Sequence, residues 1–241
     1  MNNKRVKKKI KLIVSIAIVL IGILLFKTPV FKIDSVSYNL SVDISENDIF
    51  KYGGIVKGET NLLLLDTDDV AKKLKDHPYV KSATVEKKYP NKLEIMIVYK
   101  EPYAIVKYSD LYITIDKNLY VLSVDNAKAE GFLIDGFVLE SFVIGKEIVV
   151  ESKLILRESL KLIELLEKSH IQFRPIIVLV DNGIEIQLND YFRVRFGRAD
   201  EIERKFNDFI DIYENLQSKD IKSGIIDVSN DGLPLFRPFG D

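Results

Sequence analysis

The run IKLIVSIAIVLIGILLF, residues 10–26, constrains this chain more than any other stretch, because it cannot sit in water as an isolated helix. Its uncharged centre, Leu12 to Phe26, is 15 residues long, short of the roughly 20 needed to cross a bilayer. Lys11 and Lys27 can snorkel towards the two surfaces, and Thr28 to Phe31 extends the apolar stretch. A cleaved secretory leader is the rival reading, but no A-x-A-like site follows; the chain continues KTPVFKID. Six basic residues, at 4, 5, 7, 8, 9 and 11, precede the apolar centre. The positive-inside rule then leaves residues 1–10 in the cytoplasm and everything after about Val30 outside. The expectation is a retained single-pass anchor, a transmembrane helix over 11–31, with the bulk of the chain extracytoplasmic.

Composition narrows what the outer part can do. Residues 1–32 carry eight of the 35 lysines and arginines and none of the 36 acids, so the rest of the chain has a net charge of −9. A globular part that acidic lacks the basic face that neutralises phosphates, which argues against nucleic acid as a partner. The absence of cysteine excludes disulfides, thiolate zinc sites, Fe–S clusters and cysteine nucleophiles.

Two regions follow the anchor, and the fold class expected is α+β. From Ile33 to about Glu101 the pattern reads β-α-α-β-β. KIDSVSYNL is strand-like. SENDIFKYGG reads as a short helix with Ser45 as N-cap, Glu46 to Asp48 in its first turn and Gly53-Gly54 as the stop. Thr67 or Asp66 can cap the next helix, whose dipole favours Asp68 and Asp69 and which ends near Pro78. Alternation at Ala83 and Val85, then at Leu93, Ile95, Ile97 and Tyr99, brackets Tyr89-Pro90-Asn91-Lys92 and reads as an antiparallel hairpin.

The second region, about 102–238, reads as an α/β domain with a mostly antiparallel sheet. LYITI and LYVLS flank the turn Asp116-Lys117-Asn118, and IIVLV and IEIQL flank Asp181-Asn182-Gly183. A helix is expected over about 151–169. Phe192, Val194 and Phe196 face one way in YFRVRF, with Arg193 and Arg195 facing the other. RADEIERKFNDFIDIYENLQ places Ile202, Phe206, Phe209, Tyr213 and Leu216 on one helical stripe. The closing SGIIDVSNDGLPLFRPFGD reads as a strand interrupted by Pro234.

Reactive chemistry finds no support in these patterns. His77 and His170 are the only histidines, each at a helix end where the dipole suits an imidazole, with no second ligand at metal spacing. Asp66, Asp68 and Asp69 are explained by a cap and first turn. No G-x-S-x-G elbow supports a hydrolase triad. The Gly53, Gly54, Gly58 cluster lacks the spacing and Lys-Ser/Thr end of a phosphate loop. No catalytic, cofactor-binding or metal residue is assigned. Leu233-Pro234-Leu235-Phe236 is the most suggestive surface, because a proline that cannot donate to a ladder belongs on a sheet edge. Such an edge is either covered by the tail or pairs with another chain.

Taken in order, FKIDSVSY, GETNLLLLD, LKDHPYVKSATVEKKYPNKLEI, YKEPYAIV, LYITIDKNLYVL, FLIDG, GRADEIERKF and IIDVSNDGLPLFRP resemble the FtsQ/DivIB cell-division proteins along nearly the whole chain. One departure is Tyr79, where the family commonly carries Trp. The resemblance implies a cytoplasmic tail (1–10), a transmembrane helix (11–31), a POTRA domain (32–101), a second "beta" domain (102–238) and a short tail (239–241). It implies a non-enzymatic divisome scaffold at the division septum, helping to regulate septal peptidoglycan synthesis, with FtsL-type and FtsB/DivIC-type bitopic proteins and other divisome components as partners and no cofactor. It also implies that the last strand pairs with the FtsB-type partner, which singles out Val228, Asn230, Gly232, Leu233, Leu235, Phe236 and Arg237. A membrane-anchored cell-wall hydrolase and another extracytoplasmic POTRA interaction protein are the alternatives.

Overall fold

The computed structural model describes residues 2–39, 44–171, 176–180, 183–189, 191–230 and 233–239. It contains two compact units, Met1–Lys100 and Glu101–Asp241.

The first unit opens with helix α1, Asn2–Lys27, followed by a 3₁₀ turn at Pro29–Phe31. The helix differs from the span 11–31 expected of it. Its basic N-terminal residues are good helix formers and continue it backwards. Pro29 forces Thr28 into an extended conformation (φ −72°, ψ 145°), which ends it. Leu12 and Ile13 are 62% and 65% exposed. Among the described residues, no helix is long and apolar enough to cross a membrane.

After α1 the order is β1 (Ser35–Tyr38), α2 (Glu46–Gly53), α3 (Thr67–Leu74), β2 (Val80–Lys88) and β3 (Lys92–Tyr99). The sheet order is β1-β3-β2, with β1 parallel and β2 antiparallel to β3. Ser45 caps α2 through a capping box with Asp48, and Gly54 ends it in the left-handed region at φ 64°. Of the two candidate caps for α3 it is Asp66 that acts, accepting from the N–H groups of Asp68 and Asp69 at 3.0 and 3.2 Å. Leu93, Ile95 and Ile97 alternate into a core with Ile33, Ile49, Leu62, Val70 and Leu74, while Met96 and Val98 stay exposed. The Asn39 amide takes over the ladder where β1 ends, pairing with both the N–H and the carbonyl of Ile97.

The second unit contains β4 (Ala104–Tyr108), β5 (Leu111–Ile115), β6 (Val121–Asp125), β7 (Phe132–Asp135), β8 (Leu139–Ser141), β9 (Val149–Val150), α4 (Lys153–Lys168), β10 (Ile176–Val180), β11 (Gly183–Gln187), β12 (Phe192–Gly197), α5 (Ile202–Ser218), β13 (Gly224–Asp227) and β14 (Leu235–Arg237). Nine strands form one sheet in the order β14-β13-β12-β11-β10-β7-β4-β5-β6. Five of its junctions are antiparallel and three parallel. Helix α4 lies between the parallel strands β7 and β10, and α5 between the parallel strands β12 and β13. A parallel pair needs a crossover, and these two helices supply them. Their apolar stripes share one core with the inward residues of the sheet, among them Val106, Ile113, Ile134, Ile177, Ile186, Val194 and Ile226.

Three local expectations change. Helix α4 begins at Lys153 because Ser152 is its N-cap, accepting from the Ile155 N–H at 3.4 Å. Residues 198–201 are not helical; the buried Lys205 ammonium donates back to the Arg198 carbonyl at 2.9 Å and to Asp200, holding them as a turn. The closing stretch is two antiparallel strands, β13 and β14, rather than one strand with a proline in it. The turn residues Asp181 and Asn182 lie outside the described residues.

Candidate functional site

Strand β14 is the last strand on one side of the nine-stranded sheet and, among the described residues, pairs only with β13. Its register sets Leu235 opposite Asp227, Phe236 opposite Ile226 and Arg237 opposite Ile225. Cross-strand partners share a face. Phe236 therefore lies with Ile226 and Val194 on the helix-covered side, where it packs half-buried against the core. Leu235 and Arg237 lie on the opposite face, with Asp227, Arg195, Ile225 and Arg193 beside them in the same rows.

The fit of β14 depends on Gly224. A Cβ there would come within 2.5 Å of Phe236 Cε2 and 2.6 Å of the Arg237 carbonyl oxygen, at a φ of +150° that side chains rarely adopt. Asp227 accepts from both the N–H and the hydroxyl of Ser229 at 3.1 and 2.6 Å, which turns the chain away from β13.

The residues singled out from the sequence divide accordingly. Val228 is only 2% exposed, and its N–H donates to the Arg195 carbonyl at 2.9 Å, so it belongs to the core side of β13 and not to the open edge. Asn230 is exposed in the turn. Gly232 lies outside the described residues. Leu233 is 89% exposed and Leu235 47%. Phe236 and Arg237 complete β14. Sequence reasoning passed over Gly224 and Pro238. Pro238 could have been found from its spacing, four residues after Pro234 with Phe236 midway, which at a strand's period of two puts all three on one edge.

A shallow cleft of about 400 Å³ lies over β11, β12 and the end of β13, lined by Gly183, Ile184, Glu185, Arg195, Gly197, Asp227 and Ser229, with no residue of β14. Its charges are committed: Arg195 Nε donates to Glu185 at 3.1 Å, and Asp227 holds Ser229. It offers neither a nucleophile with a base nor a group of metal ligands, and among the described residues no cluster of three or more His, Asp or Glu could hold a metal ion.

His77 is fixed by packing. It is 9% exposed, meets the Tyr52 ring edge-on at 4.9 Å between centroids, and accepts the Tyr79 N–H through Nδ1 at 3.3 Å. Burial pushes its pKa below the ordinary imidazole value, and the Asp48 carboxylate opposes that shift only in part. His170 is exposed just beyond the end of α4.

Comparison with known proteins agrees with this architecture. Residues 31–98, which include β1 through most of β3, match the family model of the POTRA domain, FtsQ-type. The protein is thus one that carries an FtsQ-type POTRA domain followed by a sheet-rich second unit. Along nearly its whole length it is similar to the cell division protein DivIB of Clostridium botulinum strain Hall, 28% identical with 97% of this chain and 93% of that protein covered. DivIB of Clostridium tetani is also 28% identical, over 91% of this chain and 85% of its own. The cell division protein FtsQ of Bradyrhizobium diazoefficiens is 33% identical over 48% of this chain and 32% of that protein. The chain is a homologue of the FtsQ/DivIB cell-division proteins.

Proposed function

We propose that this protein acts in bacterial cell division as a non-enzymatic, membrane-anchored scaffold of the divisome. In this reading residues 1–10 are a cytoplasmic tail, 11–31 the anchoring segment, 32–101 the POTRA domain, 102–238 the partner-binding domain and 239–241 a tail. The protein sits at the septum, binds FtsL-type and FtsB/DivIC-type bitopic proteins, and through them helps regulate septal peptidoglycan synthesis. Similarity to DivIB over 97% of the chain supports the role in division. The observation that carries the binding mode is β14, a short strand open along one side, with Leu233 and Leu235 exposed on it. An open edge binds an extended segment of another chain through main-chain hydrogen bonds. The partner surface proposed is Leu233, Leu235, Phe236 and Arg237, with Asn230 and Gly232 in the approach and Val228 supporting it from beneath.

Two variants of the full chain test this, because β14 has two faces. Phe236→Glu puts a charge against Ile226 and the core, and is expected to undock the strand. Leu235→Asp changes only the open face. Both are expected to lower co-purification of the FtsB/DivIC-type partner from native membranes by tenfold or more, a loss of about 1.4 kcal/mol. Undiminished co-purification of both would sink the assignment of β14 as the binding edge.

A further inference from the structure

The main-chain polarity of β14 restricts what can pair with it. Gly224 of β13 and Val228 just beyond its end send their N–H groups towards β12, to the carbonyls of Tyr191 and Arg195, both at 2.9 Å. Main-chain groups alternate sides along a strand, so Ile225 and Asp227 face β14. Their opposite numbers Arg237 and Leu235 therefore turn their N–H and carbonyl groups inward, to β13. Phe236 turns its pair outward, and the same alternation carried one step each way turns Pro234 and Pro238 outward too. Neither proline has an N–H to offer. The open edge thus presents three carbonyls, those of Pro234, Phe236 and Pro238, but a single donor, the N–H of Phe236.

This asymmetry discriminates between partners. A proline-free strand running in either direction satisfies all three carbonyls and receives the Phe236 N–H, which makes four hydrogen bonds. A second copy of this chain, added antiparallel about Phe236, sets each Pro234 against a Pro238. Only the two bonds between the phenylalanines form out of six, and four carbonyls face rings that have no donor. Burying carbonyls without partners costs more than unmade bonds merely fail to contribute. We propose that Pro234 and Pro238 make β14 a heterotypic edge: it rejects its own copy and accepts an extended, proline-free segment of a different polypeptide, registered on Phe236. Leu233 and Leu235 add an apolar grip on the open face of that segment. This inference rests on β14 being the binding edge.

The test needs no partner, so its failure is distinct from failure of the co-purification experiment. Sedimentation of the full chain in detergent micelles is expected to show a monomer. The double variant Pro234→Ala with Pro238→Ala restores both donors, and its self-association is expected to be tighter by about tenfold or more. Each single variant restores half of the missing bonds and is expected to fall between. A double variant that is folded by circular dichroism yet sediments like the wild type overturns the proposal. So does a wild-type chain that self-associates and loses this when residues 231–241 are removed. If the double variant does not fold, the single variants decide by the same criterion.

Discussion

At the scale of single residues, His77 shows how a residue that looks reactive in a sequence becomes structural. It is one of two histidines in the chain and lies close to a run of acids. In the fold those acids are occupied: Asp66 caps α3, and Asp69 pairs with Lys73 at 2.7 Å. The imidazole itself is packed against Tyr52, with its Nδ1 acting as an acceptor. An acceptor imidazole is a neutral one, and burial favours that form. Since the folded pKa is depressed, the unfolded chain takes up a proton first as pH falls. The contribution of His77 to stability is therefore complete above the unfolded value of about 6.5 and is lost as pH drops through and below it. Urea titrations at pH 7.5 and 5.5 are expected to show the first unit weakening on acidification in the wild type. In His77→Gln this pH dependence should be reduced, and an unchanged slope would refute the assignment. Lys205 makes the opposite point. Within a charged helical face nothing marks it as special, yet it is 1% exposed and joins the turn before α5 to the helix.

At the scale of elements, periodicity identified what faces inward wherever an element has one buried face. The stripe of α5 is an example, with Ile202, Phe206, Phe209 and Leu216 all buried. Phe209 sits at its centre, with ring centroids 6.1 Å from Phe196, 5.7 Å from Phe206 and 5.8 Å from Tyr213. Removing it leaves a cavity between α5 and β12, and Phe209→Ala is expected to cost about 3–5 kcal/mol of the second unit's stability by chemical denaturation. A cost under about 1 kcal/mol would mean that α5 is not anchored where it lies. Periodicity failed for β4 and β7. They sit mid-sheet with neighbours on both sides, and the outward Ile105 and Leu133 are as apolar as the inward positions, which leaves only the paired Lys107 and Asp135 to mark the outer face. It failed also for the last segment. A three-residue strand bounded by prolines is shorter than one period-two pattern, and only its pairing with β13 defines it.

At the scale of the whole molecule, the apolar N-terminal run and the rest of the chain place different demands on their surroundings. The exposed side chains from Ile10 to Leu20 have no protein core to enter. The anchor assigned to them is expected to hold the full chain in the membrane pellet through washing at pH 11. Removal of residues 2–27 is expected to release the remaining chain to the supernatant as folded protein. Release of the intact chain by the same wash would refute the anchor.

What the sequence determined by itself is local: the cap at Ser45, a cap for α3 at Asp66 or Thr67, hairpins over about 81–99 and 111–123, and the inward face of the amphipathic elements. These follow from side-chain periodicity and turn chemistry, which need only near neighbours. The resemblance to FtsQ/DivIB proteins was legible for the same reason, being carried by short motifs in order. Pro234 already marked the last segment as a sheet edge; only the tertiary structure decided that this edge is a separate strand paired with β13, that Phe236 faces the core while Leu235 and Arg237 face out, and that Val228 is covered. Strand order and the direction of each main-chain N–H depend on pairings between residues far apart in the chain. A proline can mark a strand as an edge, but no pattern along the chain encodes which strand it lies beside.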